Sequence, residues 1–150
     1  MAEIFNSAGV WLSTSTSTGT RNVSNRVMKV TLKRDADEHD DTVMGLTAHS
    51  RVIGLESWEF TMSMLESFTT ADGGERISAL LGTLYTRAKS GLKSYITVSK
   101  DSTSTGPNLP TYTGLCVLKN YSPLDGAVGD LLKTEVTFLG SGNLTETIST

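Results

Sequence analysis

The sequence predicts a mainly β, antiparallel fold, a β-sandwich or half-barrel with one flanking α-helix at about residues 75–90. Three observations predict it. Ser and Thr supply 40 of the 150 residues, beside 14 Gly and only 3 Pro, a composition that favours strands and turns over a helical bundle. Apolar and polar residues alternate with period two in several stretches, as half-buried strands do. Only one stretch has the helical period, so there is no βαβ rhythm to call for a parallel sheet. The length suits one domain, read as residues 1–140 with a C-terminal arm at 141–150.

The elements follow in order. Ile4, Phe5, Val10, Trp11 and Leu12 make a short apolar opening strand. Residues 13–20 are a Ser/Thr/Gly run with nothing to bury, expected to be a mobile loop. Residues 26–34 alternate, with Met28, Val30 and Leu32 on one face and Lys29, Thr31 and Lys33 on the other. Residues 35–41 carry Asp35, Asp37, Glu38, Asp40 and Asp41 around His39 and are expected to be a solvated loop.

A long strand follows at residues 51–68. Trp58, Phe60, Met62 and Met64 share one face; Ser57, Glu59, Thr61 and Ser63 share the other. The helix begins with Asp72 and Glu75 in a capping-box-like start. Ile77, Leu80, Leu81, Leu84 and Ala88 form its apolar stripe, with Arg87 and Lys89 in the last turn and Gly91 just beyond. Gly82 costs about 1 kcal/mol against alanine inside a helix, which suggests close packing there. Alternation returns after the helix, with Leu92, Ile96 and Val98 on one face. Residues 101–110 read as a polar loop. Strands at 111–121 and 132–139 are joined across the Asp125-Gly126 turn signal, and a polar tail carries Leu144 and Ile148.

Charge excludes several functions. The balance is 13 − 16 = −3, against the basic excess of a nucleic-acid-binding module or a polybasic membrane-surface protein. No run approaches the ~18 apolar residues of a membrane helix. The opening residues have neither a basic nor a long apolar segment, so no signal peptide is expected and the chain should fold in a reducing cytoplasm. The single cysteine, Cys116, lies in an apolar strand run and reads as a buried, inert thiol.

No chemistry assembles from the motifs. Counted from Asp35 as an EF-hand loop, the positions that need Gly and Glu hold Asp40 and Leu46. His39 and His49 lack a third ligand of known place. Asp72-Gly73-Gly74-Glu75 opens a helix, but its carboxylates repel an anion. There is no nucleophile elbow, phosphate loop or dinucleotide fingerprint. The reading is therefore a non-enzyme with no catalytic, cofactor-binding or metal-binding residues and no cofactor.

The layout then resembles a known family. The acidic segment exits through Asp41-Thr42-Val43-Met44-Gly45. A long strand runs through Gly54-Leu55-Glu56-Ser57-Trp58-Glu59-Phe60, and a lone helix follows. The last strand, from Gly129 through Phe138, ends in Gly140, Gly142, Leu144 and Thr145. This resembles the major tail tube proteins of long-tailed, siphophage-type bacteriophages and their gene-transfer-agent relatives. The resemblance implies hexameric rings whose subunits give strands to a closed inner barrel, which removes open sheet edges. The rings would stack into a tube conducting DNA from capsid to host. It implies tape-measure, terminator and initiator proteins as partners, transient passage of DNA, no membrane insertion, assembly in the host cytoplasm and a place in the virion tail. Lys29, Thr31, Ser57, Glu59, Thr61, Ser63, Glu135 and Thr137 become lumen-lining candidates. Asp35, Asp37, Glu38, Asp40 and Asp41 become ring-stacking candidates. Two alternatives remain open: the inner tube of a contractile injection device, and a virion decoration or carbohydrate-binding β-sandwich.

Overall fold

Eight strands and one helix follow one another along the chain in a computed structural model that describes residues 8–14, 21–65, 77–100 and 110–148. They are β1 (Gly9–Ser13), β2 (Arg21–Asn22), β3 (Val27–Asp40), β4 (Arg51–Leu65), α1 (Ile77–Lys89), β5 (Ser94–Ser99), β6 (Thr111–Tyr121), β7 (Lys133–Gly140) and β8 (Thr145–Thr147). Seven strands form one open sheet in the order β2-β1-β5-β6-β7-β4-β3, and β8 pairs with β6 off that path. Every pairing is antiparallel. The expected helix start at Asp72 and Glu75, the loop at 101–109, the opening residues 4–7 and most of the 13–20 run lie outside the described residues.

The core lies on one face of the sheet, because strand alternation sends every second side chain there. Val10 and Leu12 of β1, Phe60, Met62 and Met64 of β4, Ile96 of β5, Leu118 of β6 and Val136 and Phe138 of β7 are buried on it. Phe60 and Phe138 sit opposite each other in the β4–β7 register, with ring centroids 6.3 Å apart. Helix α1 covers part of this face with Leu80, Leu81 and Leu84. Tyr85 meets Tyr121 of β6 edge to face at 5.3 Å. The Arg87 guanidinium ties the end of the helix down, donating to the carbonyls of Thr14 at 2.8 Å and Lys93 at 3.1 Å.

Four expectations change. The acidic segment is not a loop: β3 runs on through Asp40, and only Asp41 falls in the connection. Cross-strand hydrogen bonding to β4 holds the backbone extended while the carboxylates point to water, so a charged run is compatible with a strand whose two faces are both exposed. Met28 is exposed rather than inward, because a register shift between Val27 and Lys29 turns it out and leaves Val27 packed on the core. Leu92 precedes β5 and is exposed, whereas Ile96 and Val98 are buried as their alternation requires. Gly82 is not tightly packed: an added Cβ would meet only the Tyr121 hydroxyl, at 3.9 Å.

The C-terminal segment is also less free than a polar arm. After β7 the chain stays beside β6, with the Ser141 amide donating to the Leu115 carbonyl at 2.9 Å, and β8 then pairs Thr145 with Thr113. Between them the chain dips over Trp58. The indole N–H donates to the Gly142 carbonyl at 3.0 Å, Gly142 turns the chain at φ 106°, and Leu144 is buried. The indole lies so close to Gly140 and Gly114 that a Cβ would come within 2.3 Å and 2.7 Å of it. The Gly-x-Gly-x-Leu pattern of the sequence is therefore a clasp around one tryptophan.

Candidate functional site

The face opposite the core carries the candidate lumen residues, and the register brings them together. Residues directly opposed in a ladder share a face. One row across β3, β4 and β7 is Lys29, Ser63 and Glu135; the next is Thr31, Thr61 and Thr137. A third is Lys33, Glu59 and Leu139, and Ser57 follows, opposite Asp35. All eight candidates thus lie on one face of the sheet. Ser57, Glu59, Lys29, Thr31 and Glu135 are exposed, and Thr61, Ser63 and Thr137 are half-buried among their neighbours.

Sequence reasoning left out members of the same face. Lys33 and Asp35 share it through β4, and Asn120 extends the threonine row by pairing with Thr137. Alternation within β3 already put Lys33 beside Thr31. Asn120 had no such signal, because a register shift between Leu118 and Asn120 changes which residues of β6 face outward. Apolar Leu139 and Val117 pair on this face too, so it is not uniformly polar.

The ring-stacking candidates occupy a different feature. Beyond the Glu59–Leu139 pair, β4 has only β3 as a partner among the described residues, and the two run on together to the Asp40–Arg51 pair. Past Ala36 this two-stranded hairpin projects by about 14 Å to Asp40, at ~3.4 Å per residue. A lone two-stranded ribbon is marginal in water, and this one is stitched by side chains. At its root Arg34 Nε donates to Glu56 Oε1 at 2.6 Å, with Glu146 of β8 3.8 Å away. Further out, Arg51 pairs with Glu38 at 3.0 Å.

At the tip the Asp40 carboxylate accepts from both the amide and the hydroxyl of Thr42. Those hydrogen bonds hold its pKa below the ordinary carboxylate value. The Thr42 hydroxyl oxygen in turn accepts from the Ser50 amide at 2.9 Å. The Leu46 amide then closes a turn on the Val43 carbonyl, with Gly45 at φ 102°. Asp35, Asp37, Glu38, Asp40 and Asp41 are thus distributed along the hairpin instead of gathered at one point. The sequence reading missed the apolar residues among them: Val43, Met44, Leu46, Val52, Ile53 and Leu55 are all exposed.

Among the described residues, no three His, Cys, Asp or Glu side chains converge as metal ligands. His49 lies 3.8 Å from Asp40, and His39 lies across Gly54 on the facing strand. Cys116 is fully buried, and burial pushes its thiol up to about 12, which leaves almost no thiolate near neutral pH.

The backbone arrangement of this sheet and helix matches solved structures. The chain superposes on a chain from the tail of an empty gene transfer agent particle refined with C6 symmetry. That match has a TM-score of 0.64 at 12% identity, over 92% of this chain and 95% of the other. It matches the SPP1 tail tube with a TM-score of 0.68 at 6% identity, over 95% and 77%. The fold is a tail-tube fold. A chain of the anti-feeding prophage baseplate, 6-fold symmetrised, matches with a TM-score of 0.60 at 8% identity, over 98% and 96%. No family model and no curated protein sequence matches the chain.

Proposed function

We propose that this protein is the structural subunit of a tail tube: six copies form a ring, the rings stack, and the lumen conducts DNA. The observation that carries the reading is the asymmetry of one open sheet. Its apolar face is covered by α1 and by the C-terminal clasp, while its polar face carries the Lys29, Thr31 and Glu59 rows uncovered by any described element. Its edge strand β3 is fourteen residues long and has no partner on its outer side among the described residues. Long open edges pair with other chains unless they are closed off, and a ring of copies closes them by joining each sheet to the next. Likeness to the C6-symmetric tail supports six as the number.

The lumen chemistry fits passage instead of binding. Phosphate binding comes chiefly from Lys and Arg. The patch holds Lys29 and Lys33 against Asp35, Glu59 and Glu135, a balance of 2 − 3 = −1. Its threonine rows offer neutral hydroxyls. No bond is made or broken, and the partners of such a tube would be further copies, a tape-measure protein and the terminator and initiator proteins at its ends. Its place would be the virion tail, after assembly in the host cytoplasm.

A second reading, the inner tube of a contractile injection device, is supported by the likeness to the anti-feeding prophage baseplate chain. The two differ in whether a sheath gene neighbours this one. Negative-stain electron microscopy at high concentration, with the mass in solution, tests both: hollow tubes or six-fold rings are expected. A uniform monomer that stays monomeric with its tape-measure and initiator proteins present would refute both.

A further inference from the structure

β7 and β8 lie in line along the same edge of β6, because β5 holds the other edge over Thr111–Cys116. They are not continuous. Gly140 stands opposite Cys116 and Thr145 opposite Thr113, so residues 141–144 face only Gly114 and Leu115. That surplus is the loop that crosses Trp58, and it also breaks the sheet. β7 pairs with β4 as far as Glu59, but β8 pairs only with β6 among the described residues. The sheet therefore splits beyond Trp58: β8 stays with β6, and the β3–β4 hairpin departs from both.

One charged cluster bridges the split. Arg34 stands opposite Trp58 in the β3–β4 register, Glu56 lies two residues along β4, and Glu146 stands opposite Tyr112 in the β6–β8 register. The guanidinium is already organised on the hairpin side, where Nε donates to Glu56 Oε1 at 2.6 Å. On the β8 side it stops short. Its Nη1 lies 3.8 Å from Glu146 Oε2, about 1 Å beyond a charge-assisted hydrogen bond. The Glu56 hydrogen bond is the main cause holding the guanidinium above its ordinary pKa, and the charges of Glu56, Glu146 and Tyr112 add to it. Beside the cluster a cleft of about 560 Å³, lined by Arg34, Ala36, Ile53, Gly54 and Glu56, leaves the root of the hairpin room to move.

We propose that Arg34 and Glu146 form a latch across this split, which draws the hairpin toward β8 and sets the angle at which it projects. The pivot is Trp58, where β4 is still tied to the C-terminal segment through the Gly142 carbonyl. Unlatched, the hairpin is a two-stranded ribbon with no neighbour to steady it among the described residues. Latched, it is presented in one orientation, which lowers the ordering cost of any contact it makes. Arg34 and Glu146 are positioning residues, with side chains 40% exposed in each case, so salt weakens the latch. The latch belongs to the free chain and does not depend on the tube reading.

Electron spin resonance tests it in dilute solution. Labels at His49→Cys and Lys119→Cys report the distance from the hairpin tip to β6; both positions are exposed, and buried Cys116 takes no label. At about 50 mM salt one closed distance is expected to dominate, and at about 1 M salt, where screening acts within about 3 Å, the open share is expected to rise. Glu146→Gln in the same labelled chain is expected to raise the open share by up to about fivefold at low salt, the effect of losing one exposed ion pair. Added salt should then change nothing further, a loss of response that a merely structural role for Glu146 would not produce. A distance unmoved by salt in the chain that keeps Glu146 overturns the latch without reliance on the variant's folding. A Glu146→Gln chain that responds to salt as fully as its parent also overturns it, since another pair, such as Arg51 with Glu38, then carries the effect.

Discussion

Gly140→Ala adds one methyl group where the structure has no room for it. The new Cβ would lie 2.3 Å from both Cε2 and Nε1 of Trp58, well inside van der Waals contact. The indole has little freedom to yield, since Gly114 lies close beneath it and its N–H is held by the Gly142 carbonyl at 3.0 Å. Overpacking of this kind costs about 1–3 kcal/mol. If the ring tilts away, the hydrogen bond goes too, at about 1 kcal/mol. The sum of about 2–4 kcal/mol is a large part of a typical domain's 5–15 kcal/mol. For a chain of this size it lowers Tm by roughly 4–16 °C, at ~2–4 °C per kcal/mol. Thermal and urea unfolding followed by tryptophan fluorescence measure it directly. A smaller ring should relieve the clash, so Trp58→Phe and Gly140→Ala together are expected to cost less than the sum of the single changes, with a coupling of about 1–2 kcal/mol. A Gly140→Ala protein as stable as the wild type, or strictly additive behaviour, would refute the clasp.

Gly82→Ala is expected to stabilise the protein by about 1 kcal/mol, because the helix gains propensity and the added Cβ meets only the Tyr121 hydroxyl at an ordinary distance; an unchanged urea midpoint would contradict this. The hairpin tip should loosen in acid. The Asp40 pKa is depressed in the folded chain, so its contribution is present above the ordinary carboxylate value of about 3.8 and disappears as pH falls through the lower folded value. Hydrogen exchange at the Thr42 and Ser50 amides should therefore exceed the intrinsic pH trend below about pH 4, and Thr42→Val should abolish that step. Cys116 should resist thiol reagents at pH 8 in native protein and react fully in urea; rapid native labelling would show that the β6 core opens. Thr31→Lys with Ser57→Lys should leave tubes intact but make them retain DNA at 50 mM salt and release it at 200 mM, and tubes that show no retention would place this face outside the lumen.

Much of the fold was legible because its residues act locally. Trp58, Phe60, Met62 and Met64 alternate without interruption, and all four are buried. Leu80, Leu81 and Leu84 keep the helical period and face the core. The polar candidates on β3, β4 and β7 were grouped correctly on one face because alternation and an unbroken register carry that information. What was missed depends on irregularity. Two register shifts, at Val27/Lys29 and Leu118/Asn120, reassign Met28 and Asn120 to faces that simple alternation does not give them. The acidic run looked like a loop because residue composition reports solvation and is silent about a partner strand at residues 51–56.

The sequence by itself determined that this is a one-helix antiparallel β protein, that Trp58, Phe60, Met62 and Met64 of β4 and the leucines of α1 enter its core, and that the alternate polar residues of β4 share the opposite face. Each of these follows from periodicity, a property of neighbours along the chain. Only the tertiary structure decided that Gly140 and Gly142 serve Trp58, which lies more than eighty residues earlier in the chain. Only it showed that the acidic residues climb a projecting hairpin, and that Arg34 of that hairpin faces Glu146 of β8 across a split in the sheet. Those relations join distant segments, and strand order and register, which bring such segments together, are set by the packing of the whole sheet.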